Sequence, residues 1–117
     1  MASYLAIVQG VYFLVTGVWP LVSIRTFMMV TGPKTDLWLV KTVGVLVAVI
    51  GGVLILAGAR DAITPEVIVL ATGSAAALIW VDVNYVLKRV IAPIYLVDAA
   101  AEVVIIAAWG VSVALDA

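Results

Sequence analysis

The sequence predicts an all-α integral membrane protein, an up-down bundle of four transmembrane helices that forms a single membrane domain over residues 1–117. Hydrophobic residues make up 67% of the chain and charged residues 11%, and the mean hydropathy is +1.33. The apolar residues fall in four runs, and a run of about 20 residues is long enough to cross the hydrocarbon core of a bilayer. Four such runs leave no residues for a soluble domain.

The first predicted span covers residues 4–24. Trp19 and Pro20 near its end are typical of a membrane interface and of a bend in the last helical turn. The segment lacks the positively charged start and the small-residue cleavage site of a signal peptide, so we interpret it as a retained span. In the connection 25–36, apolar residues lie between charged ends, which is typical of a segment lying at the interface.

The second predicted span covers residues 37–58. Gly44, Ala48 and Gly52 recur every four residues on the face that also carries Lys41. Small residues at this spacing allow another helix to approach closely. We therefore expect a neighbouring helix to cover Lys41.

The third predicted span covers residues 65–86. Thr64, just before it, caps the helix with its hydroxyl group, and the proline that follows is suited to the first helical position.

The fourth predicted span covers residues 91–114 and is almost wholly apolar, except for Asp98 and Glu102. These two acidic residues are four apart, and Tyr95 lies on the same face of the helix. We expect this polar face to point into the bundle.

Lys41 and Asp82 are predicted to lie at a depth similar to that of Asp98, about 6 to 9 Å from the nearest helix ends. An unpaired charge at that depth is costly, whereas a lysine held between carboxylates offsets much of the cost. We therefore expect these three side chains to form a polar cluster, and further hydrogen-bonding groups come from Asn84, Tyr85 and Tyr95. Such a cluster fits either a structural clamp between helices or the mouth of a binding site open to the cytoplasm.

Glu102 is predicted to lie near the bilayer midplane, about 15 Å from either end of its helix, at a depth where the sequence places no lysine or arginine. Burial without a cation disfavours the charged form of a carboxyl group, so we expect Glu102 to be protonated at neutral pH unless water reaches it. An acidic residue inside a membrane suggests binding or proton coupling. Its candidate hydrogen-bond partners are Thr16, Thr72 and Ser74 at similar depth, and Gln9 one to two turns further out.

Composition narrows the possible chemistry. The chain has no cysteine and no histidine, so thiol catalysis, a thiolate metal site and imidazole ligation of haem are excluded. We expect no catalytic residues, no metal and no cofactor, and an enzyme would have to work with Asp, Glu, Lys and Tyr alone. The net charge of −1 argues against a nucleic-acid partner.

The chain resembles the small four-span bacterial membrane proteins grouped as DoxX-like. The similarity rests on QGVYFLVTGVWP in the first span, Phe27 with a turn after it, VGVLVAVIGGVLILAG in the second span, and Glu102 near the middle of the fourth. The chain differs from these proteins at Lys41. Because the grouping has no single established activity, the resemblance implies a fold and leaves the chemistry open.

Two functional hypotheses follow. The first is a protein that binds the head of a lipid-like or quinone-like amphiphile at the polar intramembrane site, or that acts as an accessory subunit of a larger membrane complex. The alternative is proton-coupled transport of a small molecule or cation through Glu102, which resembles the small multidrug exporters in chain length, span number and use of one membrane acid. Four spans make a thin bundle, so we also expect a homodimer in contact with membrane lipid.

The distribution of basic residues predicts the orientation of the chain. Five of the six lysines and arginines belong to one side of the bundle, and only Arg60 belongs to the other. By the positive-inside rule, the connections 25–36 and 87–92 are cytoplasmic and both termini are outside.

A reporter enzyme that is active only in the cytoplasm, fused after Ala117, should therefore be inactive in cells. The same reporter inserted into the 87–92 connection should be active. Cytoplasmic activity of the C-terminal fusion would contradict the predicted orientation.

Overall fold

The computed structural model describes residues 1–33 and 36–116, apart from the side chain of Asp116. Over these residues the chain forms five α-helices: α1 (Ala2–Val22), α2 (Ile24–Thr31), α3 (Leu37–Ala59), α4 (Pro65–Leu87) and α5 (Tyr95–Asp116). All but α2 are long and apolar enough to cross a membrane, and these four run alternately up and down. The predicted all-α bundle of four spans is confirmed.

The bundle has two distinguishable ends. We call the end that holds Met1 and the 60–64 connection the terminal end, and the end that holds α2 and the 88–94 connection the α2 end. At the terminal end, the Ser3 hydroxyl donates a hydrogen bond to Asp61 Oδ1. At the α2 end, Gly32 lies against Ala92, because a Cβ added at Gly32 would be 3.5 Å from Ala92 Cβ.

Local sequence sets where the helices begin and end. Ser23 separates α1 from α2, and its Oγ accepts a hydrogen bond from the backbone N–H of Thr26 at 3.4 Å. Gly32 ends α2 with a φ of 96°, a conformation that glycine adopts without strain. α4 begins as predicted, because Thr64 Oγ1 accepts a hydrogen bond from Val67 N at 3.3 Å and the proline that follows occupies the first turn.

The last helix, α5, begins at Tyr95, four residues after the predicted start at Ile91. Pro93 lacks a backbone N–H and disfavours the helical conformation of the residue before it, so residues 91–94 are not helical and include a turn at Pro93 and Ile94. Glu102 consequently lies about 10 Å from the start of α5, at a rise of about 1.5 Å per residue. It is nearer the α2 end than the predicted midplane position.

α1 and α3 form a closely packed antiparallel pair. Gly10 faces Gly51 and Gly17 faces Gly44, so the two backbones approach without a side chain between them. A Cβ added at Gly17 would lie 2.5 Å from Gly44 O, and one added at Gly51 would lie 2.6 Å from Gly10 O. Close packing of small residues is the main source of attraction between helices in lipid, where apolar burial gives little hydrophobic gain.

The face of α3 that packs against α1 differs from the predicted one. Gly51, rather than Gly52, continues the line from Gly44, and a Cβ added at Gly52 would meet nothing within 4 Å. At about 100° per residue, Gly51 lies about 20° around the helix from Gly44, whereas Gly52 lies about 80° away. Lys41 lies on the Gly52 side and is exposed, so the expectation that a neighbouring helix covers Lys41 is wrong.

α4 packs against α5 as a second antiparallel pair. The two pairs meet in an apolar core whose buried members are Ala6 of α1, Leu54 of α3, Ala71 of α4 and Trp109 of α5. All four residues lie in the half of the bundle that is nearer the terminal end. The packing between the two pairs is therefore concentrated in that half.

Replacing Gly51 with alanine should lower the free energy of unfolding by about 1 to 3 kcal/mol, the usual cost of inserting a methyl group where backbone atoms cannot move apart. The adjacent Gly52→Ala variant is the matched control, because open space surrounds that position. Unfolding in mixed detergent micelles, followed by tryptophan fluorescence, would measure both variants. Equal effects of the two substitutions would contradict the packing of α1 on α3.

Candidate functional site

Buried polar side chains line one face of α5. Asp98, Glu102, Trp109 and Ser112 follow one another at spacings of four, seven and three residues, which places them on one helical stripe. Glu102 is 0% exposed, Trp109 and Ser112 are each 1% exposed, and Asp98 is partly buried. The prediction that this face points into the bundle is confirmed.

A hydrogen-bonded bridge joins three helices at the level of Trp109. The Trp109 indole Nε1–H of α5 donates to Gln9 Oε1 of α1 at 2.7 Å. Gln9 Nε2 in turn donates to the backbone carbonyl of Ala71 in α4 at 2.9 Å. Gln9 is 0% exposed, and its amide uses both its acceptor and a donor in these contacts. This Gln9–Trp109 bridge holds the two helix pairs together.

A second polar layer contains three carboxyl groups. The Tyr12 hydroxyl of α1 donates a hydrogen bond to Asp98 Oδ1. Asp98 also lies close to Asp82 in α4 and to Glu102 one turn further along α5. We call Tyr12, Asp82, Asp98 and Glu102 the acidic cluster.

Several buried oxygen atoms of the acidic cluster have no donor. Asp82 is 4% exposed, and its Oδ2 and both carboxyl oxygens of Glu102 have no hydrogen-bond partner among the described residues. Three unpaired negative charges at this depth would be very costly. The acidic cluster is therefore chemically suited to hold protons or a cation.

Lys41, which the sequence places between the carboxyl groups, lies outside the acidic cluster. Its side chain is exposed, because α3 turns the line of Gly44 and Gly51 toward α1 and Lys41 lies about 60° around the helix from Gly44. Within residues 1–33 and 36–116, no lysine or arginine forms an ion pair with Asp82, Asp98 or Glu102. The expected pairing of Lys41 with carboxylates is wrong. Asp82 and Asp98 lie close to each other without it, and their part in a site stays a prediction.

The hydroxyl groups predicted as partners of Glu102 bond to their own helices. Thr16 Oγ1 donates to Tyr12 O at 2.8 Å, Thr72 Oγ1 to Ile68 O at 2.8 Å, and Ser74 Oγ to Ala71 O at 3.2 Å. Serine and threonine inside helices commonly bond the carbonyl one turn back. These three predicted contacts with Glu102 are wrong. Gln9 is buried as a polar residue, but its partners are Trp109 and Ala71.

Asn84 and Tyr85, two further predicted residues, have no described hydrogen bond to the acidic cluster. Tyr85 packs its ring edge-on against Trp80 at 6.2 Å between centroids, and Lys88 Nζ lies 5.6 Å from the Tyr85 ring centre. Asn84 and Tyr95 are partly buried. The structure thus brings together Asp82, Asp98 and Glu102 but gives Asn84 and Tyr85 no described contact with the carboxyl groups.

Two buried polar residues are absent from the predicted site. Tyr12 lies three residues after Gln9 and thus on a neighbouring face of α1, so helical spacing alone could have identified it. Ser112 lies three residues after Trp109, and its buried Oγ has no described partner. Serine is common in membrane helices, so its sequence position carried no distinguishing signal.

Four membrane-length helices around buried acidic residues define a small polytopic membrane protein. Among the residues that the structure describes, no three His, Cys, Asp or Glu side chains are arranged to hold a metal ion. No protein-family model matches the chain, and no curated protein or solved structure matches it either. The resemblance to DoxX-like proteins has no support from a family match, and what is established is the four-span architecture.

Replacing Trp109 with phenylalanine should lower the free energy of unfolding by about 1 to 3 kcal/mol, because the buried Gln9 Oε1 loses its donor. Trp38→Phe is the matched control, since Trp38 is 68% exposed. Thermal unfolding in detergent, followed by circular dichroism, would compare the two variants. A Trp109→Phe protein as stable as Trp38→Phe would contradict a structural contribution of the Gln9–Trp109 bridge.

Proposed function

We propose that this protein binds protons and small organic cations in competition at the acidic cluster, and that it couples the movement of the two across the membrane. The observation that carries the proposal is the fully buried Glu102, whose two carboxyl oxygens have no partner. It lies beside Asp98 and close to Asp82, and no described basic residue compensates these groups.

The physical basis is the cost of charge in a medium of low dielectric constant. A carboxylate that is buried without a cation is strongly disfavoured, and uptake of either a proton or a cation removes the unfavourable charge. When both ligands neutralise the same group, binding of one reduces the affinity for the other, and this reciprocity is what couples their movements. Membrane carboxyl groups act in this way in proton relays and ion pathways.

The position of the acidic cluster between the helix pairs supports movement as well as binding. Asp82 and Glu102 belong to the α4–α5 pair, while Tyr12 belongs to the α1–α3 pair and reaches across to Asp98. A ligand that replaces the Tyr12–Asp98 hydrogen bond changes the contact between the two pairs. Ligand binding is therefore linked to the separation of the two helix pairs through the Tyr12–Asp98 hydrogen bond.

Binding of a lipid-like or quinone-like amphiphile has less support. It requires an apolar groove that leads to the acidic cluster. The described groove on α1 is centred on Val18, about 180° around the helix from Gln9, and it is lined by Leu14, Val15, Val18, Trp19, Val22 and Ser23. An acyl chain in that groove would lie on the side of α1 that faces away from Gln9.

A homodimer and membership of a larger complex stay predictions. Large apolar side chains such as Val8, Leu46, Val69 and Val104 are exposed along the four spans. Such faces are suited to contact with lipid or with another membrane helix. The orientation with both termini outside likewise stays a prediction.

Purified protein in weakly buffered detergent should release protons when tetramethylammonium, tetraethylammonium or tetraphenylphosphonium is added. The apparent affinity should fall as the pH is lowered, by up to about tenfold per pH unit where one proton competes with one cation. Proton release measured with a pH indicator, together with isothermal titration calorimetry, would test both points.

Glu102→Gln should abolish the proton release, whereas Glu66→Gln should retain it. Glu66 is the matched control because it is exposed in the first turn of α4. The proposal would be wrong if none of the three cations bound, if they bound without proton release, or if Glu102→Gln behaved as the parent protein does.

A further inference from the structure

We infer that the acidic cluster exchanges its ligand with water at the α2 end alone, and that the Gln9–Trp109 bridge and the apolar core close it from the terminal end. The inference rests on the proposed function for the nature of the ligand. It adds which end of the bundle gives water access to the acidic cluster, and which residues close the other end.

The hydrogen bond between Gln9 and Trp109 places α1 and α5 in register. Thr16 is seven residues beyond Gln9, and Glu102 is seven residues before Trp109, so both lie about 10 Å from the bridge toward the α2 end. Asp98 is eleven residues from Trp109 and Asp82 is eleven residues from Ala71, the second partner of Gln9. Asp82 and Asp98 thus share a level about 16 Å from the bridge.

The half of the bundle between Glu102 and the terminal end is closed. Ala6, Leu54 and Ala71 are each 0% exposed, and Trp109 is 1% exposed. These residues form one apolar core that contacts all four spans, and the Gln9 amide at its centre is already bonded to two helices. A hydrated cation has no path through this layer.

The half between Glu102 and the α2 end is more open. Thr16 and Asp98 are only partly buried, although each lies on a face that points toward the opposite helix pair, whereas Asp82 at the level of Asp98 is 4% exposed. The Tyr12 hydroxyl reaches Asp98 in this half and joins α1 to the α4–α5 pair. No residue of the apolar core comes from this half.

α2 forms part of the rim of this opening. Trp19 near the end of α1 holds α2 through a hydrogen bond from its Nε1 to Thr26 Oγ1 at 3.0 Å, and through an edge-to-face contact with Phe27 at 5.4 Å between ring centroids. The far end of α2 leads to Gly32, which lies against Ala92 of the connection before α5. α2 therefore spans the distance between the two helix pairs at the α2 end without contributing to the buried core.

The chain contains no cysteine, so single cysteines can report water access without any background substitution. A charged, membrane-impermeant methanethiosulfonate reacts with a thiolate in water and not with a thiol in lipid or in a packed core. Thr16→Cys reports whether water reaches the level of Glu102, and Ser112→Cys reports whether water reaches the closed half of the bundle. Val15→Cys is the matched control, because Val15 is next to Thr16 but faces lipid and is 60% exposed.

Two exposed positions mark the two faces of the membrane. Lys88→Cys marks the α2 end and Arg60→Cys marks the terminal end, and both parent residues are exposed. Each variant would be labelled in intact cells and in inverted membrane vesicles, so that the reagent reaches one face at a time. Labelling after denaturation in dodecyl sulfate would confirm that every cysteine is present and reactive.

Thr16→Cys should react from the face that labels Lys88→Cys, at least about tenfold faster than Val15→Cys. Ser112→Cys should not react from either face in the folded protein. The inference would be overturned if Thr16→Cys reacted from the face that labels Arg60→Cys or from neither face, or if Ser112→Cys reacted. Because labelling is measured without added cation, its outcome is independent of the proton-release test of the proposed function.

Discussion

The Gln9 side chain is the contact on which the arrangement of the two helix pairs depends. Inside a membrane no water can satisfy an amide, so Gln9 must find its partners in the protein. It finds them in two different helices, the indole of Trp109 and the carbonyl of Ala71. This one side chain thereby joins α1 to both α4 and α5 at one level of the bundle.

The glycine contacts hold α1 against α3, within the first helix pair. The backbones touch at Gly10 with Gly51 and at Gly17 with Gly44, which makes this pair a closely packed unit along most of its length. The contact with the second pair is concentrated near the terminal end. The bundle is consequently tight within pairs, and the two pairs share no apolar core near the α2 end, where Asp82 and Asp98 lie.

The acidic cluster is unfavourable for the stability of the bundle. Glu102 and Asp82 are buried with unpaired oxygens, whereas the equally buried Gln9 has its hydrogen bonds satisfied. A structural clamp would resemble Gln9, with donors and acceptors matched in number. The acidic cluster instead has an excess of acceptors, and this excess supports the proposed binding of a proton or a cation.

The sequence by itself determined the four spans and the inward-facing stripe of α5, because hydropathy over about 20 residues and spacing within one helix are local properties. Tertiary structure decided that Lys41 is exposed, that Tyr12 reaches Asp98, and that the hydroxyl groups of Thr16, Thr72 and Ser74 do not reach Glu102. The physical reason is rotation about the helix axis. In lipid an apolar helix gains little from facing one way rather than another, so its rotation is set by detailed packing, here of Gly51 rather than Gly52.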